Sequence, residues 1–327
     1  MCADVSYALR PLYRQLQAGI ESLQREIVIR EQTFETVSQV YDKLMQDHPE
    51  YFWLTGGASV TTRRQGASTT LFFRPSFKDV DSDSRIGAMR RQLDDRVKTL
   101  IASAKRASGR LYDQILFLHD ALVTQTDYVH TPHCHDAYGC LVGRRAVCDG
   151  YSAAFQILMQ RLGVECGRVC GKSAVGGEAG GSHAWNYIRL DDGYYYVDVT
   201  WDDPFVTGAP TKDNLMHDFF CVDLQQIQIT HRFDPNQFIP SACGTKYDYY
   251  RMCGRYAERY TFSAVRDIAR RQMQSGKFSV KFSTRAQLDL AKRDLIENRK
   301  IFEIPGVPSC FHYRTSASGR ILKVDCR

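Results

Sequence analysis

No run of the 327 residues comes near the roughly 18 to 20 consecutive apolar positions that a membrane-crossing helix requires. The amino terminus lacks the basic, apolar, small-residue succession of a secretory leader. Read as it stands, the sequence predicts a soluble, cytoplasmic protein, or an extracytoplasmic one if a leader has been removed ahead of Cys2. A dominant charge is also missing: 43 Lys and Arg face 37 Asp and Glu, a net +6 spread along the chain without a basic tail, which argues against nucleic acid as a partner. The short pairs Arg90-Arg91, Arg270-Arg271 and Lys292-Arg293 sit beside acidic residues on helical stretches and read as solvated faces. There is no internal repeat and no low-complexity linker. The eleven cysteines are odd in number and include no Cys-x-x-Cys pair, so neither a small disulfide scaffold nor a zinc ribbon is indicated, and a reducing compartment is favoured.

The organisation follows from periodicity. Leu12, Leu16, Ile20, Leu23 and Ile27 recur at steps of three and four and predict one helix. Phe34, Val37, Val40, Tyr41 and Leu44 predict a second, stopped by Pro49. Runs flanking Gln65-Gly66 predict a hairpin over 58–73. Helical spacing returns at Ile86, Met89, Leu93, Val97 and Leu100, and again at Leu111, Ile115, Leu118 and Leu122. Beyond residue 145 the pattern predicts a helix over 148–162 and strands over 164–170, 183–190 and 194–200, then an irregular stretch over 208–255. The tail predicts an α-β-α-β-β module with a helix stopped at Gly276, a capping box of Thr284 with Gln287, and a last turn at Ser318-Gly319. The expected fold class is α+β, organised as 1–107 (mainly helical, with a hairpin), 108–254 (core) and 255–327 (a small module).

The helix over 148–162 starts at Cys148. A helix amino terminus offers unpaired amides and the positive end of the dipole, which favour an anionic, nucleophilic sulfur. A two-residue turn at Asp191-Asp192, followed by Gly193, pairs residue 185 with 198 and 183 with 200. His183 and Asp198 then become diagonal neighbours on one face of a strand pair, a base beside its orienting carboxylate. In such a set the cysteine attacks a carbonyl, the histidine moves the proton, and the carboxylate fixes the tautomer; amides at the helix start serve the oxyanion. Tyr128, Tyr138 and Trp185 are candidates for a second oxyanion donor. Trp185 and Trp201 flank the histidine and the aspartate, either shielding them from water or filling the core beneath. The row Tyr194 to Tyr196 reads as strand packing. His130, His133, Cys134, His135 and Cys140 crowd into eleven residues, yet without paired metal-ligand spacing they read as a polar loop leading to the helix, with His135 or Tyr138 a candidate to line a cleft.

Three boxes stand in order: Val147-Cys148-Asp149-Gly150-Tyr151, Ser182-His183-Ala184-Trp185-Asn186, and Val197-Asp198-Val199-Thr200-Trp201-Asp202-Asp203-Pro204. With Ala137-Tyr138-Gly139, Leu141-Val142, Phe219-Phe220 and His231-Arg232, they make the segment from about 115 to 235 resemble the transglutaminase-like superfamily of papain-fold thiol enzymes, particularly its bacterial branch. Asp47 to Glu50 and Phe52-Trp53 resemble the region that often precedes that core; the tail from 255 resembles no family. The resemblance implies a helix bearing the cysteine packed on an antiparallel sheet, a catalytic triad of Cys148, His183 and Asp198, cleft-lining Tyr138, Trp185 and Trp201, and a protein or peptide substrate attacked at an amide through a thioester. Water as acceptor would make a peptidase or deamidase, an amine a transferase. The acidic sites of the calcium-dependent enzymes are not found, so neither a metal nor another cofactor is expected, and no pattern sets an oligomeric state. The competing reading is a non-catalytic module that holds a peptide or cell-wall strand in the same cleft.

Overall fold

The computed structural model describes residues 6–66, 68–78, 82–174, 180–203, 215–235 and 237–327. Two compact units divide the chain, Met1–Arg168 and Val169–Arg327. The fold class is α+β, with an antiparallel sheet and a separate carboxy-terminal module, as the sequence predicts.

The first unit opens with α1 (Arg10–Glu21), whose Leu12, Leu16 and Ile20 are buried. The predicted helix runs too far. Leu23 turns left-handed at φ 59° and Gln24 N–H donates back to Gly19 O, which closes the helix, and Ile27 opens strand β1 (Ile27–Arg30) instead. Gly19 permits this return: a Cβ there would lie 2.4 Å from Ile27 Cδ1. After α2 (Phe34–Asp47), β2 (Leu54–Gln65) and β3 (Ser68–Phe77) form the predicted hairpin, and β1 pairs with β3 to complete a three-stranded sheet. Then α3 (Asp83–Ala107), α4 (Leu111–Gln125) and α5 (Cys148–Leu162) pack on one another, and Leu93, Val97 and Leu100, Ile115, Leu118 and Leu122, and Phe155, Leu158 and Met159 are buried on them. The short strands β4 (Asp127–Tyr128) and β5 (Arg145–Ala146) run parallel just ahead of α5.

The next strands are β6 (Cys166–Ser173), β7 (Gly181–Leu190) and β8 (Gly193–Val197). After α6 (Leu224–Ile227), β9 (His231–Phe233) joins them in a sheet ordered β8-β7-β6-β9. β8 is shorter than predicted, because residues 198–200 already turn. Val169, Trp185, Tyr196, Phe219, Val222 and Ile227 form the apolar cluster of this part. Past α7 (Tyr249–Met252) the tail runs β10 (Tyr256–Ala257), α8 (Phe262–Arg270), β11 (Lys277–Phe282), α9 (Arg285–Lys292), β12 (His312–Thr315) and β13 (Ile321–Asp325), with sheet order β10-β11-β13-β12. The predicted α-β-α-β-β order holds. Gly276, however, ends a 3-10 turn after α8 and not the helix itself. The capping box is half formed: Thr284 Oγ1 accepts from Gln287 N–H, whereas the Gln287 side chain accepts from Tyr260 N–H.

Candidate functional site

Cys148 is the first residue of α5, after Val147 in extended conformation with no side-chain cap on the helix amides. It is half-buried, whereas Cys134, Cys140, Cys166 and Cys221 are buried. Each neighbour in its box has a physical task. Asp149 Oδ2 lies 3.0 Å from His135 Nδ1. Gly150 admits a close backbone: a Cβ there would stand 2.4 Å from Cys134 O and 2.9 Å from Ala146 Cβ. Tyr151 is buried and donates its hydroxyl to Thr126 O at 3.0 Å. The helix start is thereby locked onto the loop before it.

Tyr138 is half-buried; its hydroxyl donates to Gln92 Oε1 at 2.6 Å and its ring packs on Phe52 and His133. Tyr128 is exposed and stacks on Tyr151. The crowded histidines and cysteines of this loop separate into two kinds. His133 Nδ1 pairs with Asp136 Oδ2 at 2.8 Å, and Cys140 is buried beside Thr126, where burial pushes its thiol up to about 12. His130, Cys134 and His135 instead converge, their ligand atoms within 4.8 Å of one another.

In the second unit the Asp191-Asp192 turn sets the predicted register, Asn186 opposite Val197 through Leu190 opposite Gly193. Continued by one step it puts Trp185 opposite Asp198. His183 Nε2 and Asp198 Oδ2 are 2.7 Å apart, and both residues are buried. A second imidazole shares the same oxygen: His231 Nε2 lies 2.9 Å from Asp198 Oδ2, with His231 Nδ1 2.8 Å from Thr230 Oγ1. Trp201 N–H donates to the other carboxylate oxygen at 3.1 Å. Burial alone would raise the Asp198 carboxyl, but the charge and hydrogen bond of His183 and the hydrogen bond of His231 outweigh it and hold the group well below the usual carboxylate range. Burial lowers His231 below the ordinary imidazole value, in part offset by its hydrogen bond with Asp198.

Aromatic rings enclose the cluster. Trp185 stacks on His183 with centroids 5.8 Å apart and meets His231 edge-on at 4.7 Å; Trp201 lies 4.9 Å from His231 and 5.2 Å from Phe219. Trp185 does both things the sequence left open, since it is buried in the apolar cluster and also covers the imidazole. In the third box, Asp202 Oδ1 accepts from Phe219 N–H at 3.0 Å and Asp203 N–H donates to Thr200 O, so the Asp202 carboxylate and the Asp203 backbone amide shape the turn that presents Asp198. Pro204 lies outside the described residues. The sequence singled out His231 only as part of the resemblance, with no role; its signal was weak because β9 is three residues long within an irregular stretch.

A family model described as the transglutaminase-like superfamily matches residues 98–199, a segment holding Cys148, His183 and Asp198. The segment 98–199 is thus a transglutaminase-like core. Over 80 residues it is 32% identical to the kyphoscoliosis peptidases of Mus musculus and Homo sapiens, covering 22% of this chain and 12% of either relative. It therefore spans about an eighth of the length of those curated relatives. Among solved structures, a crystal structure of a TGase is 15% identical with a TM-score of 0.31, covering 54% of this chain and 51% of that one. A putative cysteine protease from Cytophaga hutchinsonii is 12% identical with a TM-score of 0.29, covering 45% and 63%. Superfamily membership brings an association with cysteine-based hydrolase and transferase chemistry.

Proposed function

We propose that the protein is a transglutaminase-like thiol enzyme acting on peptide or glutamine amides of a protein or peptide substrate, with Cys148, His183 and Asp198 as its triad. The imidazole–carboxylate pair at 2.7 Å, buried under Trp185 and set by the hairpin register, is the observation that carries the reading. In this reading His183 takes the thiol proton, Cys148 sulfur attacks the amide carbonyl, the carbon–nitrogen bond breaks, and the leaving nitrogen departs with the proton from His183. The thioester so formed is resolved by water or by an amine. Amides at the uncapped start of α5 stabilise the oxyanion, and Tyr138, Trp185 and Trp201 line the cleft. The name of the kyphoscoliosis peptidases favours water as the acceptor. The catalytic core is assigned to 108–254, preceded by 1–107 and followed by 255–327.

The test is mass spectrometry of a glutamine-containing peptide library incubated with the protein and a primary amine. Cleaved, deamidated or amine-bearing products that vanish with Cys148→Ala support the reading and name the acceptor. No product, together with iodoacetamide labelling of Cys148 at pH 6 to 7 no faster than the other thiols, refutes it in favour of a binding module.

A further inference from the structure

The geometry points to a divalent-cation site at His130, Cys134 and His135, of the class filled by Zn²⁺, separate from the proposed triad. A thiolate with two imidazoles is a donor set of borderline softness, which suits zinc above calcium or magnesium. A ring nitrogen of each histidine and Cys134 Sγ already lie within 4.8 Å of one another. Tetrahedral zinc, at about 2.0–2.1 Å to nitrogen and about 2.3 Å to sulfur, asks for ligand atoms about 3.5 Å apart. His130 and His135 are exposed and Cys134 is buried, so the approach to that spacing falls to the two imidazoles.

The backbone explains why three ligands so close in sequence can converge. Cys134 N–H donates to Thr131 O, and His133 turns left-handed at φ 66°, so the loop doubles back between His130 and His135. The wall is rigid, since Cys134 O accepts from Val147 N–H at 2.9 Å and Gly150 packs against it. Asp149, 3.0 Å from His135 Nδ1, supplies the carboxylate that orients a ligating imidazole. The remaining candidates in the loop are engaged elsewhere, His133 with Asp136 and Cys140 with Thr126. On binding, the Cys134 thiol proton passes to water and a metal–sulfur bond replaces it. The bound ion ties the loop to the first turn of α5 through Cys134 and Asp149.

The test is titration of the 327-residue Cys148→Ser protein with Co²⁺, followed by competition with Zn²⁺. The background variant removes the half-buried Cys148 thiol as a competing sulfur ligand. A sulfur-to-cobalt charge-transfer band, lost on adding Zn²⁺ and absent in Cys134→Ser, is expected. His130→Ala and His135→Ala replace exposed side chains and leave the core intact, so they decide the matter even if Cys134→Ser misfolds; each is expected to weaken Zn²⁺ binding at least roughly tenfold. Saturating Zn²⁺ is also expected to raise the Tm of the Cys148→Ser protein but not of His130→Ala in that background. Absence of a thiolate band, or a band unchanged in both histidine variants, overturns the assignment.

Discussion

Asp198 holds two imidazoles on one oxygen and a backbone amide on the other, fully buried. Asp198→Ala strips all three of their acceptor at once and is expected to cost about 3–5 kcal/mol, read as a shift in urea midpoint at constant slope. Its turnover is expected to exceed that of Cys148→Ala, because a carboxylate orients and stabilises while the sulfur forms the bond. His231 gives a pH signature of its own. Its folded-state pKa is depressed by burial, so the stability it supports is complete above the unfolded value of about 6.5 and is lost as pH falls below it. Asp198 has the same sign but begins to lose its contribution only below about 4. The decline of Tm between pH 7 and pH 5 is therefore expected to flatten in His231→Gln, which keeps a donor for Asp198; an unchanged slope would remove His231 as its source. The pairing of His183 with Asp198 was legible because one two-residue turn sets the register of both strands. His231 was not, because it comes 33 positions after Asp198 on a strand too short to show alternation.

Elements were legible where periodicity and a stop signal agreed. The helix over 148–162 begins at Cys148 and closes on Gly163 in left-handed conformation, as read. The amino-terminal helix was overextended because Leu23 and Ile27 continue the three-four spacing by coincidence, while the chain has already reversed at Leu23. Periodicity reports which side chains seek burial, and a strand folded back over the same core seeks it equally. The Cys148 helix owes its seating to Gly150. Gly150→Ala places a methyl against Cys134 O and Ala146, where backbone has no room to yield, and is expected to destabilise by about 1–3 kcal/mol in denaturant titration. At α9, Thr284→Ala is expected to cost about 1 kcal/mol through the lost cap. Gln287→Ala acts elsewhere, by freeing Tyr260 N–H, and hydrogen exchange at Tyr260 separates the two.

Across the second unit, the tail is joined to the sheet-bearing part by buried charge. Lys281 on β11 pairs with Asp248, which also caps α7, and Lys323 on β13 reaches Asp218 at 2.7 Å, whose other oxygen accepts from Tyr250 Oη. Burial opposes the charge on Asp218, yet Lys323 and Tyr250 hold its carboxyl low. Composition could not reveal this seam, because isolated lysines and aspartates in sequence look like surface residues until their partners are known. Lys281→Met leaves Asp248 buried without its cation and is expected to cost about 3–5 kcal/mol in urea titration. A double replacement that makes Asp248 apolar as well is expected to recover much of that loss.

The seam also ties the fate of the tail to that of the segment before it. Lys281 and Lys323 stand on adjoining antiparallel strands of the tail, while Asp218 and Asp248 lie outside it. A chain lacking the tail would leave both anions without their cations, so the module and the segment it rests on depend on each other for their charge balance.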